Sequence, residues 1–267
     1  MPSAIRPWFR LLRASFAAQT RYLPAALGGL IANLTFGFLK AAVLFATVRA
    51  AGGEVGGYDL ATMSSYVWLS QALLGTVNLG ADSDLADRVR TGDIAIDFAR
   101  PLDVQTSYLA VDLGRSFFAL GPRAIPLILL GALTTGIAFA PPAGVLLGLV
   151  AVALAAVLSF LGRYAVNILG LWLVETRGVR TLYMLVSSFL AGLFVPVPLF
   201  PDWLKMLANA TPFPSLLQTP IDVLSGKVSG AAALLAVLWQ VFWIVVVGAA
   251  GQLLTRRGRL KLEVQGG

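Results

Sequence analysis

Long apolar stretches alternate with short charged segments along this chain. Six of the stretches are predicted to be helices that cross a lipid bilayer, because roughly 20 helical residues span about 30 Å of hydrocarbon. The predicted spans are 24–48, 58–79, 117–139, 143–172, 181–197 and 230–254. The fifth is the shortest, and we expect it to end at Pro196 and Pro198, which interrupt a helix. The pattern predicts an all-α polytopic membrane protein with one transmembrane domain over residues 1–267.

The N-terminal segment, residues 1–22, has the pattern of an amphipathic helix. Apolar residues recur at helical spacing from Ile5 to Phe16, with Arg6, Arg10 and Arg13 on the other side. Such a helix is suited to lie in the membrane interface, either as a simple anchor or as an elbow helix that packs against a neighbouring protein. Its charged lead-in is longer than that of a cleaved signal peptide, so we expect it to remain in the protein.

The connection at residues 81–103 is the main polar loop. Ser83 is predicted to cap a short helix that ends at Gly92 in a left-handed conformation. Residues 94–98 alternate between apolar and polar, which predicts an extended, half-buried segment. Asp103 is expected to begin the helix that leads into the third span. The short helix is either a solvated connector or a docking element.

The segment at residues 199–229 is too long for a turn and too apolar for a disordered loop. Pro201 and Asp202 are expected to start one short helix, and a second run over 213–224 ends at Gly226. Two apolar helices with proline breaks indicate a re-entrant or interfacial hairpin between spans five and six. Such a backbone is tolerated at membrane depth only against protein or a cavity.

Composition supports a membrane protein. Hydrophobic residues make up 58% of the 267 residues and charged residues only 12%, and the mean hydropathy is +0.81. An average soluble domain is about a quarter charged. A soluble fold of this size has too little polar surface to cover itself, whereas lipid removes that requirement.

The placement of the basic residues predicts the orientation. Four precede the first span, four lie between spans two and three, two lie between spans four and five, and four follow span six. Only Arg49, Lys205 and Lys227 fall on the opposite side. This asymmetry predicts a multi-pass membrane protein with both termini in the cytoplasm. The net charge of +7 is thereby explained by topology and by contact with membrane lipids, without a nucleic acid partner.

Residue types exclude several kinds of chemistry. The chain has no cysteine and no histidine, which excludes disulfides, thiolate metal sites and imidazole catalysis. It contains neither a phosphate-binding Gly-x-x-x-x-Gly-Lys-Ser/Thr loop nor a Gly-x-Ser-x-Gly elbow. We therefore predict that it is not an enzyme, that it binds no cofactor or metal, and that its energy comes from another subunit or an ion gradient.

Charged and polar residues inside the spans are few. Lys40 and Arg163 are interpreted as the only clearly intramembrane charges, and local pairing or snorkelling is the expected role of both. The lack of carboxylates near the membrane centre disfavours an ion-coupled antiporter. Polar residues on spans two and five either line a pathway or bond to a neighbouring helix; these are Ser70, Gln71, Asn78, Ser187 and Ser188.

Two stretches carry a resemblance to a known family. The first is residues 90–101, with the sequence RTGDIAIDFARP, and the second is residues 192–203, GLFVPVPLFPDW, which continues to Pro212, Phe213, Pro220 and Gly226. Together with the six-span layout, they resemble the type-2, exporter-class permeases of ATP-binding-cassette (ABC) transporters. The likeness is greatest to a bacterial six-span subfamily that is often encoded as two unlike permeases with one ATPase.

The resemblance implies that the loop helix is a coupling helix that docks on a cytoplasmic ABC ATPase, of which two copies would hold ATP and Mg. The implied docking residues are Ser83, Leu85, Arg88, Val89, Arg90, Gly92, Arg100 and Pro101. It also implies a second permease, identical or paralogous, and an outer gate around Phe194, Phe200 and Trp203. The expected function is export of a hydrophobic or amphipathic substrate. An ion-coupled carrier and a non-transporting membrane scaffold are the alternatives.

Overall fold

The computed structural model describes residues 2–81, 84–173 and 175–261, and the side chains in these ranges apart from those of 2–4 and 22–27. These residues form α-helices joined by short turns and contain no β-strand, which confirms the all-α prediction. The helices are α1 (Pro2–Gln19), α2 (Leu23–Ala50), α3 (Leu60–Leu73), α4 (Asp84–Thr91), α5 (Ile94–Phe98), α6 (Val104–Ala119), α7 (Ile125–Thr134), α8 (Pro142–Ile168), α9 (Arg177–Leu190), α10 (Asp202–Asn209), α11 (Gln218–Ser225) and α12 (Gly230–Arg259).

Four helical segments in the described ranges are long and apolar enough to cross a membrane. They are Gly28–Ala50, Val104–Thr134, Pro142–Leu171 and Gly230–Arg259, and they correspond to the first, third, fourth and sixth predicted spans. The second segment joins α6 to α7 through a wider π-helical turn at Leu120–Ala124, where Pro122 lacks an amide donor. It begins well before the predicted residue 117, because the Asp103 carboxylate accepts a hydrogen bond from the Thr106 amide and caps α6, as expected.

The second and fifth predicted spans contain shorter helices, α3 and α9, of 14 residues each. A helix of that length measures roughly 21 Å, less than the thickness of the hydrocarbon. The predicted end of the fifth span at Pro196 and Pro198 is wrong, since α9 ends at Leu190. Gly192 then adopts a left-handed conformation, with φ of 84°, and turns the chain before the prolines are reached.

Helices α3 and α8 form the centre of the molecule. Every residue of α3 from Met63 to Leu73 is buried, packed among α2, α7 and α11. Helix α8 lies against α11 and α12. Gly148 allows the close approach to α11, because a Cβ there would lie 2.6 Å from Leu224 Cδ2. The apolar core around α3 and α8 therefore includes α11.

Helix α1 packs along α6 of the same chain. The Trp8 indole donates a hydrogen bond to the Thr106 carbonyl oxygen at 2.9 Å, and the Ser15 hydroxyl donates to the Val111 carbonyl oxygen at 2.6 Å. A Cβ at Gly114 would overlap the carbonyl oxygen of Leu12, so a glycine is required where the two helices meet. The predicted helix is confirmed, and the side chains on its other face, Ile5, Phe9 and Phe16, are exposed.

The connection at 81–103 contains two short helices, α4 and α5. Gly92 ends α4 with φ of 84°, as predicted, whereas Ser83, the expected cap, lies outside the described residues. The prediction of an extended segment at 94–98 is wrong, because Ile94–Phe98 is helical. An extended segment without a neighbouring strand would leave its amides and carbonyls unpaired, whereas a helical turn satisfies them locally.

The segment at 197–226, here called the two-helix segment, contains α10 and α11. Helix α10 begins at Asp202 directly after Pro201, and Gly226 ends α11 in a left-handed conformation, both as predicted. Helix α11 is buried. Helix α10 presents a row of apolar side chains on its exposed face, namely Trp203, Met206 and Leu207.

Candidate functional site

The connection at 81–103 is organised around one carboxylate. Asp97 has a side chain only 6% exposed. It accepts hydrogen bonds from Arg88 Nε at 2.7 Å and from the Tyr108 hydroxyl at 2.9 Å, and Arg100 Nη1 lies 3.2 Å from its other oxygen. The hydrogen bond to Asp97 raises the pKa of the Arg88 guanidinium. Asp97 therefore fixes α4, α5 and the start of α6 relative to one another.

The predicted docking residues divide into a buried and an accessible set. Leu85 and Val89 are buried in an apolar cluster with Phe160 and Ile168 of α8. Arg88 is half-buried through its contacts with Asp97. The accessible members are Arg90, Gly92, Arg100 and Pro101. Among these, Arg90 lies 3.5 Å from Asp87, the one ion-pair partner it has in the described part of the chain. Both side chains are more than 70% exposed, so the charge of Arg90 is available at the surface.

Ion pairs connect this region to the interior of the helix bundle. Arg115 of α6 binds Asp84 at the start of α4, with 2.6 Å between Nη2 and Oδ2. One helical turn earlier, Asp112 binds Arg163 of α8 at 2.7 Å. The Arg163 side chain is only 5% exposed. Local pairing, one of the two roles expected of Arg163, is thus what the structure contains.

A polar cavity of about 120 Å³ lies between these ion pairs. The side chain of Asn167 faces the cavity wall, is 1% exposed, and has no hydrogen-bond partner on either its nitrogen or its oxygen among the described residues. A buried amide without a partner is costly, and the cavity is large enough for a few water molecules. The combination of a buried ion pair and an unsatisfied amide marks this as a polar layer inside an apolar bundle.

A second candidate site is a groove of about 490 Å³ between α2, α3 and the turn that follows α9. Its wall is largely apolar, with Asn33 and Gln71 as polar members. Lys40 also lines it and donates hydrogen bonds to Ser70 Oγ at 2.8 Å and to the Leu193 carbonyl oxygen at 2.6 Å. The ammonium also lies 4.9 Å from the centre of the Tyr66 ring. Here Lys40, assigned only a local role from the sequence, is the polar centre of a site.

Three of the predicted pathway residues meet at this groove. Gln71 and Phe194 line it, and Ser70 enters through its hydrogen bond with Lys40. Phe194 is 58% exposed. The structure therefore brings part of the predicted set together around one cation, which the sequence did not indicate.

The other polar members of the set do not line this groove. The carbonyl oxygen of Asn78 accepts a hydrogen bond from Ser159 Oγ at 2.6 Å. Ser187 Oγ donates to the Leu79 carbonyl oxygen at 2.9 Å, and Ser188, one residue further along α9, is buried. The Asn78 side chain accepts a hydrogen bond from the nearby Gly80 amide at 2.9 Å, and Asn78 lines the polar cavity. The Ser187 hydroxyl is bonded to the segment that follows α3.

The aromatic residues proposed for the gate are also separated. Phe200 is buried and stacked on Phe189, with ring centres 5.2 Å apart, whereas Trp203 is exposed on α10.

A buried polar network was not predicted from the sequence: the Tyr58 hydroxyl and the Gln218 amide both donate to the carboxylate of Asp222. The four-residue spacing of Gln218 and Asp222 on α11 was the available signal.

Arg123 corrects the inventory of charges within the spans. It lies in the long helical segment Val104–Thr134, so Lys40 and Arg163 are not the only such charges. Its guanidinium occupies the space where a Cβ of Gly29 would be, and its stem passes close to Gly75. Arg123 also falls within the predicted third span, 117–139.

Comparison with known proteins identifies a family. A family model described as "ABC-2 family transporter protein" matches residues 31–266, a range that includes both candidate sites. No curated protein matches the chain.

Proposed function

Since this chain belongs to the ABC-2 family of transporter proteins, we propose that it is the membrane-spanning permease subunit of an ATP-driven exporter. A separate cytoplasmic ATPase, present in two copies, hydrolyses ATP with Mg, and this chain contributes the pathway for a hydrophobic or amphipathic substrate. The observation that carries the proposal is the accessible surface of α4, which is fixed to the bundle by the ion pairs of Asp97 and Asp84 and leaves Arg90 free to meet a partner.

The proposed topology has six spans in the bacterial cytoplasmic membrane. The four longer helical segments supply four of the spans. Helices α3 and α9 supply the other two, each together with the irregular residues that follow it. The excess of basic residues before α2, around α4 and after α12 supports cytoplasmic termini. In this arrangement α1 is an elbow helix in the cytoplasmic interface, and the two-helix segment re-enters from the outer side.

The proposed mechanism transmits force through the polar layer. Closure of the two ATPases moves α4, which is bound through Arg115 to α6 and buried through Leu85 and Val89 against α8. A helix so attached moves with the bundle helices rather than independently. The motion shifts the permease between inward-open and outward-open states, whose populations ATP binding controls. A second permease, identical or paralogous, completes the pathway. Phe194 and Trp203 of this chain are the proposed gate and interface residues.

The test is affinity purification of the tagged protein from membranes in mild detergent. We expect an ABC ATPase to co-purify, and we expect Arg90→Glu to reduce its recovery because the substitution reverses an exposed charge without disturbing a buried contact. The matched control is Arg49→Glu. Arg49 lies in the last turn of α2, on the proposed outer side of the membrane, and is also exposed. Arg88→Glu is less informative, since it also breaks the contact with Asp97.

If no ATPase is recovered even after chemical crosslinking, the exporter proposal is wrong. An ion-coupled carrier or a non-transporting scaffold would then be favoured. Recovery of a second, unlike permease would show a heterodimer, and recovery of this chain alone with the ATPase would indicate two identical permeases.

A further inference from the structure

The ammonium of Lys40 lies in a largely apolar groove. None of the ion pairs between described residues includes Lys40. Its partners, a hydroxyl, a carbonyl and an aromatic ring, are all neutral. A charge in a membrane-spanning helix is expensive, and such residues usually mark a substrate or ion pathway.

The hydrogen bonds of Lys40 leave donor capacity. An ammonium has three N–H donors, and two have acceptors among the described residues, Ser70 Oγ and the Leu193 carbonyl oxygen. These two bonds hold the side chain against α3 and the end of α9. The nitrogen is thus positioned and one donor remains available to an anionic oxygen.

The walls of the groove suit an apolar chain. They are formed largely by Phe36, Leu39, Val43 and Phe194, each more than half exposed. The volume of about 490 Å³ falls within the range of sites that bind small molecules. An apolar wall with a single cation at its centre is complementary to an amphiphile with one anionic head group.

Building on the proposed exporter function, we propose that the transported substrate is an anionic amphiphile, whose carboxylate or phosphate binds Lys40 while its apolar tail lies along Phe36, Leu39 and Val43. The same ammonium bonds the Leu193 carbonyl, next to Phe194 and the start of the two-helix segment. The anion takes the third N–H donor, so its head group lies beside this junction between α9 and the two-helix segment.

The test measures binding of a matched pair of probes to the full-length protein in phosphatidylcholine nanodiscs. The first probe is 11-(dansylamino)undecanoic acid, and the second is its uncharged primary amide, which has the same tail. We expect the acid to bind wild-type protein at least about tenfold more tightly than the amide, because a charge-assisted hydrogen bond forms only with the acid. Lys40→Met should remove this difference and leave the affinity for the amide unchanged.

Three further variants separate the charge from the fold. Lys40→Arg should preserve the preference for the acid. Lys40→Gln retains a donor for the Leu193 carbonyl without the charge, so it should lose the preference even if Lys40→Met is poorly folded. Lys205→Met, which removes a lysine on α10, should leave the preference unchanged.

Equal affinities of the two probes for wild-type protein, or an equal loss of both in Lys40→Gln, would overturn the proposal. Complete displacement of the acid in nanodiscs that contain phosphatidylglycerol would instead assign the groove to bilayer lipid. A second copy of the chain covers the groove if two results occur together: the probes do not bind, and a Val43→Cys variant forms disulfides spontaneously between copies. This outcome would also overturn the proposal. Binding is measured without the ATPase, so failure to recover an ATPase would refute the exporter proposal and leave this result intact.

Discussion

At the residue scale, the buried charged groups are held by specific partners. Arg163 forms an ion pair with Asp112, and Asp97 forms ion pairs with Arg88 and Arg100. Lys40 donates hydrogen bonds to neutral oxygens. Removing one member of a buried ion pair leaves the other charge uncompensated, which costs more than the pair itself contributes. The polar layer near α4 is therefore sensitive to single substitutions.

We expect Asp112→Leu to lower the free energy of unfolding by about 3 kcal/mol, because it leaves the Arg163 guanidinium buried without an anion. The double variant Asp112→Leu/Arg163→Met should be more stable than the sum of the single effects. Thermal and denaturant unfolding of the detergent-solubilised protein measures both quantities. Strict additivity in the double-mutant cycle would show that the two side chains do not interact.

The sequence identified which residues are unusual but not which of them meet. Lys40 and Arg163 stand out because they interrupt apolar runs, and Gln71 and Phe194 because of their positions on predicted spans. The contact between Lys40 and the Leu193 carbonyl joins positions 153 residues apart. It depends on where α9 ends, and that boundary was predicted several residues too late. No local pattern contains this information.

At the element scale, the union of α1 and α6 depends on a single small residue. The amphipathic pattern predicted α1, but its partner was not predictable, because the requirement lies in Gly114 on another helix, where any Cβ overlaps the Leu12 carbonyl. The error at Ile94–Phe98 has a similar origin. Five alternating residues fit a strand as well as a short helix, and only the absence of a neighbouring strand decides between them.

We expect Gly114→Val to displace α1 from α6, because the branched side chain cannot fit against the backbone of Leu12. Hydrogen–deuterium exchange of the peptide that contains Trp8 and Ser15 should become faster, while exchange in α8 remains unchanged. Gly28→Ala, at a helical position with open space for a Cβ, is the control. Unchanged protection of α1 in Gly114→Val would contradict the observed packing.

At the scale of the whole molecule, the number of spans decides on which side the docking surface lies. Six spans place residues 54 and 91 on opposite sides of the membrane. If only the four long helical segments cross, both residues lie on the same side. Helices α3 and α9 are shorter than the hydrocarbon is thick, so cysteine labelling from each side of the membrane is the measurement that distinguishes six spans from four.

The natural absence of cysteine makes this measurement direct. Glu54→Cys and Thr91→Cys, both at exposed positions, are each treated with an impermeant maleimide on intact cells and on inverted vesicles. We expect Glu54→Cys to react in cells and Thr91→Cys only in inverted vesicles. Reaction of both variants from the same side would contradict the six-span topology.

The central claim is that α4 docks on an ATPase, and crosslinking from Thr91→Cys tests it most directly. A photoreactive maleimide attached there is activated in native membranes, and the adducts are identified by mass spectrometry, with Glu54→Cys as the matched control. We predict an adduct with an ABC ATPase from position 91 and none from position 54. An absence of ATPase adducts from position 91, with equal labelling of both cysteines, would contradict the account.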